Sequence, residues 1–171
     1  MKENLVLIGM PGSGKSTIGR ILGEKLGLPF IDLDVEIETH SNQSIPDLFE
    51  KGEDYFRDIE SEVTEIFSKQ SPLVIATGGG IILKESNIEE LRQNGRIIFL
   101  NRSLENIAGD VEMGTRPLLK DGLDKLQKLY EERIDLYYKY ADLVVDNNEN
   151  PIKAIEQLMR KLSIEEKGHS I

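Results

Sequence analysis

Apolar and polar positions along the chain fall into blocks, and the period within each block sets the expected element. Residues 5–8 (Leu-Val-Leu-Ile) are a short, continuous apolar run, the pattern of a parallel strand covered on both faces. Ile18, Ile21, Leu22 and Leu26 then recur at helical spacing, with Gly27 placed to end the helix. Residues 29–32 read as a second short strand, and residues 34–39 begin a helix. Ser44, Pro46 and Asp47 combine a capping hydroxyl, an early proline and a first-turn acid, which marks another helix start. A longer helix over about 54–69 carries Phe56, Ile59, Val63, Ile66 and Phe67. Further strands are expected at 73–76, 96–100 and 143–145, and further helices at about 87–93, 103–110, 123–140 and 151–162. Residues 109–122 have weak periodicity and three glycines, so most of this stretch is expected to be a mobile loop. The polar tail, 163–171, is expected to fray.

Strands that alternate with helices in this way specify an α/β fold, a doubly wound parallel sheet with helices on both faces, in one domain. Ligands in such folds bind outside the carboxyl ends of the strands. Four segments follow strand ends: residues 9–17, Asp32 with Asp34, Gly78 to Gly80, and the residues after Asp146. They are expected to converge on one cleft.

The first of these is Gly9-Met10-Pro11-Gly12-Ser13-Gly14-Lys15-Ser16-Thr17, which fits G-x-x-x-x-G-K-[ST] between a strand and a helix. Glycines at 9, 12 and 14 allow backbone that side chains would obstruct, so successive N–H groups around Gly12, Ser13 and Gly14 can turn inward as an anion nest, at the positive end of the following helix. Lys15 adds a full charge for the outer phosphates, and the Ser16 hydroxyl can reach a Mg²⁺ ion. Together with Thr17 these residues are the expected site for a nucleoside triphosphate.

Charge changes the picture in one respect. The 171 residues hold 21 Lys plus Arg against 31 Asp plus Glu, a net charge of −10, which disfavours nucleic acid and anionic membranes as partners. Cations for a phosphate substrate must therefore be concentrated locally. There is no cysteine, and His40 and His169 are too far apart to suggest a zinc motif. No apolar run is long enough to span a membrane, and residues 1–4 do not read as a signal peptide, so a cytoplasmic location is the expectation.

Asp32 and Asp34 stand at alternate positions just past a strand. A phosphoryl-transfer site needs an acid near the metal and can use one at the attacking hydroxyl, although Asp34 would also serve as a simple helix cap. On the 54–69 helix, Phe56, Glu60, Val63 and Phe67 lie on one stripe, so Glu60 faces with apolar neighbours and needs a partner. Arg57 is the nearest candidate, and an arginine held by such a carboxylate is a good clamp for a substrate carboxylate. Arg133 sits among Leu129, Leu136 and Tyr140 at helical spacing, either snorkelling to water or meeting an anion. Arg116, before Pro117, stands in the glycine-bearing loop, where closure over ATP phosphates would stabilise transition-state charge. Gly78, Gly79 and Gly80 follow a buried strand, and three residues without side chains would let a ligand approach the backbone closely.

In that order, the glycine-rich loop, Asp32-x-Asp34, Phe56-Arg57-x-x-Glu60, Gly78-Gly79-Gly80, Arg116-Pro117-Leu118-Leu119 and Arg133 ahead of Leu136-Tyr137 resemble the shikimate kinases over nearly the whole chain, about residues 5–162. The resemblance implies a three-layer P-loop fold with a five-stranded parallel sheet, arranged as in nucleoside monophosphate kinases. It implies one kinase domain over 1–171, with a core of about 4–162, a substrate-binding region of about 33–62 and a lid of about 109–122. It implies transfer of the ATP γ-phosphoryl group to the 3-hydroxyl of shikimate with Mg²⁺, on the route to chorismate and the aromatic amino acids, by a monomer. Asp34 would contact the shikimate hydroxyls and accept the proton, and Lys15 and Arg116 would act on the phosphates. Arg57 and Arg133 would hold the carboxylate with Gly78, Gly79 and Gly80 beside them, and Glu60 would support Arg57. Ser16 would ligate Mg²⁺, with Asp32 reaching it through water.

Two positions depart from the family pattern. A second lid arginine is often found seven residues before the Arg-Pro pair, where this chain has Gly109, and the loop at 146–150 has no basic residue. Adenine is therefore expected to be held lightly, with weak selectivity for the base. Two other functions compete: another small-metabolite kinase of this architecture, such as a gluconate kinase, or a nucleotide-binding regulator with a decayed site. The retained Lys15, Ser16, Asp32, Asp34 and Arg116 count against decay.

Overall fold

The structure is a computed structural model that describes residues 3–113 and 120–168. Its five strands are β1 (Asn4–Ile8), β2 (Phe30–Asp32), β3 (Val74–Ala76), β4 (Gly95–Asn101) and β5 (Leu143–Asp146). They form one parallel sheet in the order β2-β3-β1-β4-β5. The helices are α1 (Lys15–Leu26), α2 (Leu33–Ser41), α3 (Ile45–Glu50), α4 (Glu53–Ser68), α5 (Glu85–Gln93), α6 (Leu104–Met113), α7 (Lys120–Tyr140) and α8 (Pro151–Gly168). The first strand was legible as a strand buried on both faces, and its side chains divide accordingly. Leu5 and Leu7 join Ile18 and Leu22 of α1 and Ile155 and Leu158 of α8. Val6 and Ile8 join Phe56 and Val63 of α4, Ile88 of α5 and Tyr137 of α7. A sheet so covered exposes only its ends, and the loops at the carboxyl ends are where the chemistry-bearing residues sit.

Four local expectations change. Helix α1 starts at Lys15, three residues before its first apolar position, because the Gly14 carbonyl already accepts from the Ile18 N–H at 2.9 Å. The phosphate-binding residues are therefore its first turn. Asp32, not Asp34, is the N-cap of α2, accepting from the Asp34 N–H at 3.1 Å. The stretch 109–122 is largely helical where described: α6 continues through Gly109 to Met113, and α7 begins at Lys120. Residues 114–119, which include Arg116, lie outside the described residues. The tail is also helical further than expected, since α8 runs to Gly168. Glu165, Glu166 and Lys167 are good helix formers, so propensity extends α8 where no apolar stripe would.

Asn4 fixes the amino end of β1. Its side chain is fully buried, its Oδ1 accepts from the Leu73 N–H at 2.8 Å, and its Nδ2 donates to the Gln70 carbonyl at 2.8 Å. Among the described residues no helix is long and apolar enough to cross a membrane. Replacing Asn4 by Ala strands the buried Leu73 N–H, which costs about 1–3 kcal/mol. The expected result is a lower urea midpoint with an unchanged slope.

Candidate active site

The residues after β1 build the phosphate cradle. Gly12 and Gly14 have φ of 79° and 94°, backbone that other residues rarely adopt. Gly14 has a second constraint: a Cβ there would lie 2.7 Å from the Asn147 amide nitrogen. Lys15 folds back into the loop, where its Nζ donates to the carbonyls of Gly9 at 2.7 Å and Met10 at 2.8 Å. It is buried, and burial lowers its pKa to about 8 against the opposing pull of Asp34 and Asp32. At the other side of the cradle the Ser16 hydroxyl donates to Asp32 Oδ2 at 2.5 Å.

Beyond the cradle the cleft has two connected parts. A cleft of about 370 Å³ lies over the P-loop and Asp32. A smaller pocket of about 190 Å³ lies beside it, walled by Arg57, Glu60, Arg133, Phe49 and Phe56. The two share Asp34, Gly78 and Gly79. All of the expected strand-end segments before α5 thus meet in one place, and Asp34 stands at the junction. Burial raises the Asp34 pKa, and Asp32 adds to this, while Lys15 and Arg57 oppose it.

The smaller pocket is organised by α4. Glu60 is 1% exposed, and Arg57 Nη1 donates to its Oε1 at 2.8 Å. Burial raises the Glu60 pKa, and Arg57 is the main opposing influence. The guanidinium carbon of Arg57 sits 5.0 Å from the Phe56 ring centroid and 6.0 Å from that of Phe49, and the two rings stack at 4.3 Å. The Arg57 Nε is buried and has no hydrogen-bond partner among the described residues. On α7, Arg133 lies beside the Tyr137 hydroxyl, which donates to the Gly79 carbonyl at 2.6 Å. Tyr137 is fully buried, and desolvation pushes its pKa up to about 12.

The three glycines are also required by the protein's own packing. The space that side chains would fill is taken by the protein itself. A Cβ at Gly78 would lie 2.9 Å from Asp34 Oδ1, and one at Gly79 2.8 Å from Pro11 Cδ. One at Gly80 would lie 2.6 Å from Arg57 Nη1. The glycines let the charged side chains reach the cleft, and they line the pocket as a result.

Sequence reasoning overlooked Tyr137, Asn147 and Arg102. The first was recoverable, since Tyr137 is one helical turn from Arg133 on the same face. Asn147 Nδ2 donates to the Ser13 carbonyl at 2.9 Å, a contact across 134 residues that no local pattern announces. At Gly109 a side chain would meet nothing within 4 Å. No group of three or more His, Cys, Asp or Glu able to hold a metal occurs among the described residues. The Ser16–Asp32 pair is instead suited to an ion such as Mg²⁺, which keeps several waters and takes most of its ligands from phosphate.

The sequence matches the family model described as Shikimate kinase over residues 11–163. It is 50% identical over 147 residues to the shikimate kinase of Clostridium botulinum (strain Eklund 17B / Type B), covering 86% of this chain and 89% of that one. The shikimate kinase of Acinetobacter baumannii, solved in complex with shikimate, superposes with a TM-score of 0.84 at 33% identity, covering 99% of this chain and 96% of that one. A gluconokinase from Sinorhizobium meliloti 1021 gives a TM-score of 0.60 at 17% identity over 95% and 97% of the two chains, a likeness of fold alone.

Two outcomes follow from this geometry. Gly80→Ala forces the Arg57 guanidinium out of its place, so the KM for a carboxylate-bearing acceptor should rise about tenfold, the scale of one lost charge-assisted bond. The KM for ATP should hold within twofold in the same assay. Lys15 gives a pH dependence. Phosphate beside it favours the ammonium form, so nucleotide affinity should be full below about pH 8 and fall as pH rises beyond it. In the free protein the sign is opposite. Between about pH 8 and 10.5 the unfolded chain holds a proton that folded Lys15 has released, so stability from this group rises with pH. ADP dissociation constants measured from pH 7 to 9.5 check the first effect, and a flat profile would remove it.

Proposed function

The chain belongs to the shikimate kinase family, and from that premise we infer that it transfers the γ-phosphoryl group of ATP to the 3-hydroxyl of shikimate, releasing shikimate 3-phosphate and ADP. The observation that carries this is the pocket with Arg57 and Arg133 in its wall, joined through Asp34 to the P-loop cleft. A small carboxylate with vicinal hydroxyls fits its chemistry. Arg57 and Arg133, both in the pocket wall, hold the carboxylate. The acceptor hydroxyl then faces Asp34, whose raised pKa brings it nearer to the range useful for proton transfer. As the acceptor oxygen bonds to the γ-phosphorus, the bond from phosphorus to the bridging oxygen of ADP breaks, and the hydroxyl proton passes to Asp34. Lys15 leaves the Gly9 and Met10 carbonyls to meet the phosphates, and Gly12, Gly14, Ser16 and Thr17 cradle them with backbone N–H groups beside Ser13, whose own N–H is held by the Met10 carbonyl.

Mg²⁺ in this scheme is held by the Ser16 hydroxyl, with Asp32 behind it through water, and neutralises phosphate charge when bound. Arg116 serves the same charge from the lid. Gly78, Gly79 and Gly80 contribute the floor under the acceptor, and Glu60 keeps Arg57 in place. The substrate region at about 33–62 and the lid at about 109–122 are the parts that adapt to ligand. We assign the enzyme to the cytoplasm as a monomer, without nucleic-acid or membrane partners, in keeping with its net charge of −10.

ADP release from the purified full chain, with shikimate, quinate and gluconate offered separately, tests the acceptor. Turnover with shikimate should exceed the others by orders of magnitude, and equal use of gluconate would restore the alternative kinase. Asp34→Asn should lower kcat about 10²–10⁴-fold, the usual worth of a positioned general base, while the KM for ATP changes little. An unchanged kcat would take Asp34 out of the chemistry. Arg57→Ala and Arg133→Ala should each raise the shikimate KM about tenfold or more.

A further inference from the structure

The order of the strands divides the cleft. Asp34 follows β2, Gly78 to Gly80 follow β3, and the P-loop follows central β1. With acceptor and phosphates placed there, the ribose and base of the nucleotide are left with the ends of β4 and β5. The loop after β5, residues 147–150, has no cation of its own. A cation reaches it from the neighbouring strand. Arg102, one residue beyond β4, donates from Nη1 to the Asn147 carbonyl at 2.8 Å and from Nη2 to Asp110 Oδ2 on α6 at 2.6 Å. Its side chain is 14% exposed, and its buried Nε has no hydrogen-bond partner among the described residues.

Each partner of Arg102 is itself tied to the phosphate cradle. Asn147 donates to the Ser13 carbonyl, as described above. Helix α6 packs Ile107 so closely on the loop that a Cβ at Gly12 would lie 3.1 Å from its Cγ2. The same turn adds a bond from the Ser103 N–H to Asn148 Oδ1 at 2.8 Å. Arg102 therefore stands where the P-loop, the helix leading into the lid and the loop under the nucleoside meet. Only a planar fork with donors in two directions makes both of its contacts.

We propose that Arg102 is a positioning residue for the nucleoside half of ATP: by clamping Asn147 to Asp110 it sets the loop 147–150 against the base, and it supplies from just past β4 the cation that this loop lacks. The clamp strengthens binding of a nucleotide without touching the acceptor pocket. The proposal rests on the nucleotide site inferred above but not on the identity of the acceptor.

The test compares ADP with inorganic tripolyphosphate as ligands of the full chain, by calorimetric titration without any acceptor. Tripolyphosphate fills the cradle but has no nucleoside. Arg102→Met should weaken ADP about tenfold, the scale of one charge-assisted bond, and leave tripolyphosphate within about twofold. Asp110→Asn, which keeps the arginine and removes one charge from the clamp, should weaken ADP about threefold. Arg102→Lys should recover only part of the loss, because an ammonium cannot span both partners. Unchanged ADP affinity in Arg102→Met overturns the proposal. So does equal weakening of both ligands, which would mean that the cradle itself had collapsed. Absence of shikimate turnover would defeat the assigned acceptor and leave these titrations standing.

Discussion

Glu60 is almost fully buried among apolar positions of α4, and a carboxylate there must have a partner it can hydrogen-bond. Removing one member of such a pair typically costs 3–5 kcal/mol, since it leaves the other charge buried alone. Arg57 is that partner, one helical turn away. Its position then dictates several others. The guanidinium passes so close to the backbone after β3 that a Cβ at position 80 would displace it. Its faces rest against Phe56 and Phe49, and the residue lines the smaller pocket. The Arg57–Glu60 pair, the glycine-rich turn and the aromatic pair are one packing solution to a single buried charge.

The nucleotide half answers a similar demand with opposite sign. Lys15 is a buried ammonium in a chain of net charge −10. Without phosphate it satisfies itself on loop carbonyls, and burial lowers its affinity for the proton. Asp34 lies close enough to oppose that shift, and its own carboxylate is disfavoured by burial and by Asp32. The cleft thus holds groups whose charges are poorly solvated until ligand arrives, which is the condition for electrostatic preorganisation.

Much of this was readable without coordinates. The period of the apolar residues predicted all five strands, and the stripe through Phe56, Glu60 and Val63 predicted a buried acid with an arginine partner. Both depend on contacts within a few residues. What stayed hidden depends on distance along the chain. Arg102 meets Asn147 across 45 residues and Tyr137 meets Gly79 across 58, and no local pattern encodes those meetings. The glycines at 78–80 were recognised as a site of close approach, but which atoms approach is a fact of packing. Helix ends were misread for a related reason: Lys15 and the extension of α8 are helical without an apolar stripe to mark them.

The shared wall between the two parts of the cleft has a consequence for ligand design. Asp34, Gly78 and Gly79 border both compartments, so a ligand that fills either one meets the same three residues. On the proposed assignment, a bisubstrate inhibitor, with a cyclic carboxylate tethered to a nucleoside polyphosphate, would meet those residues from both sides.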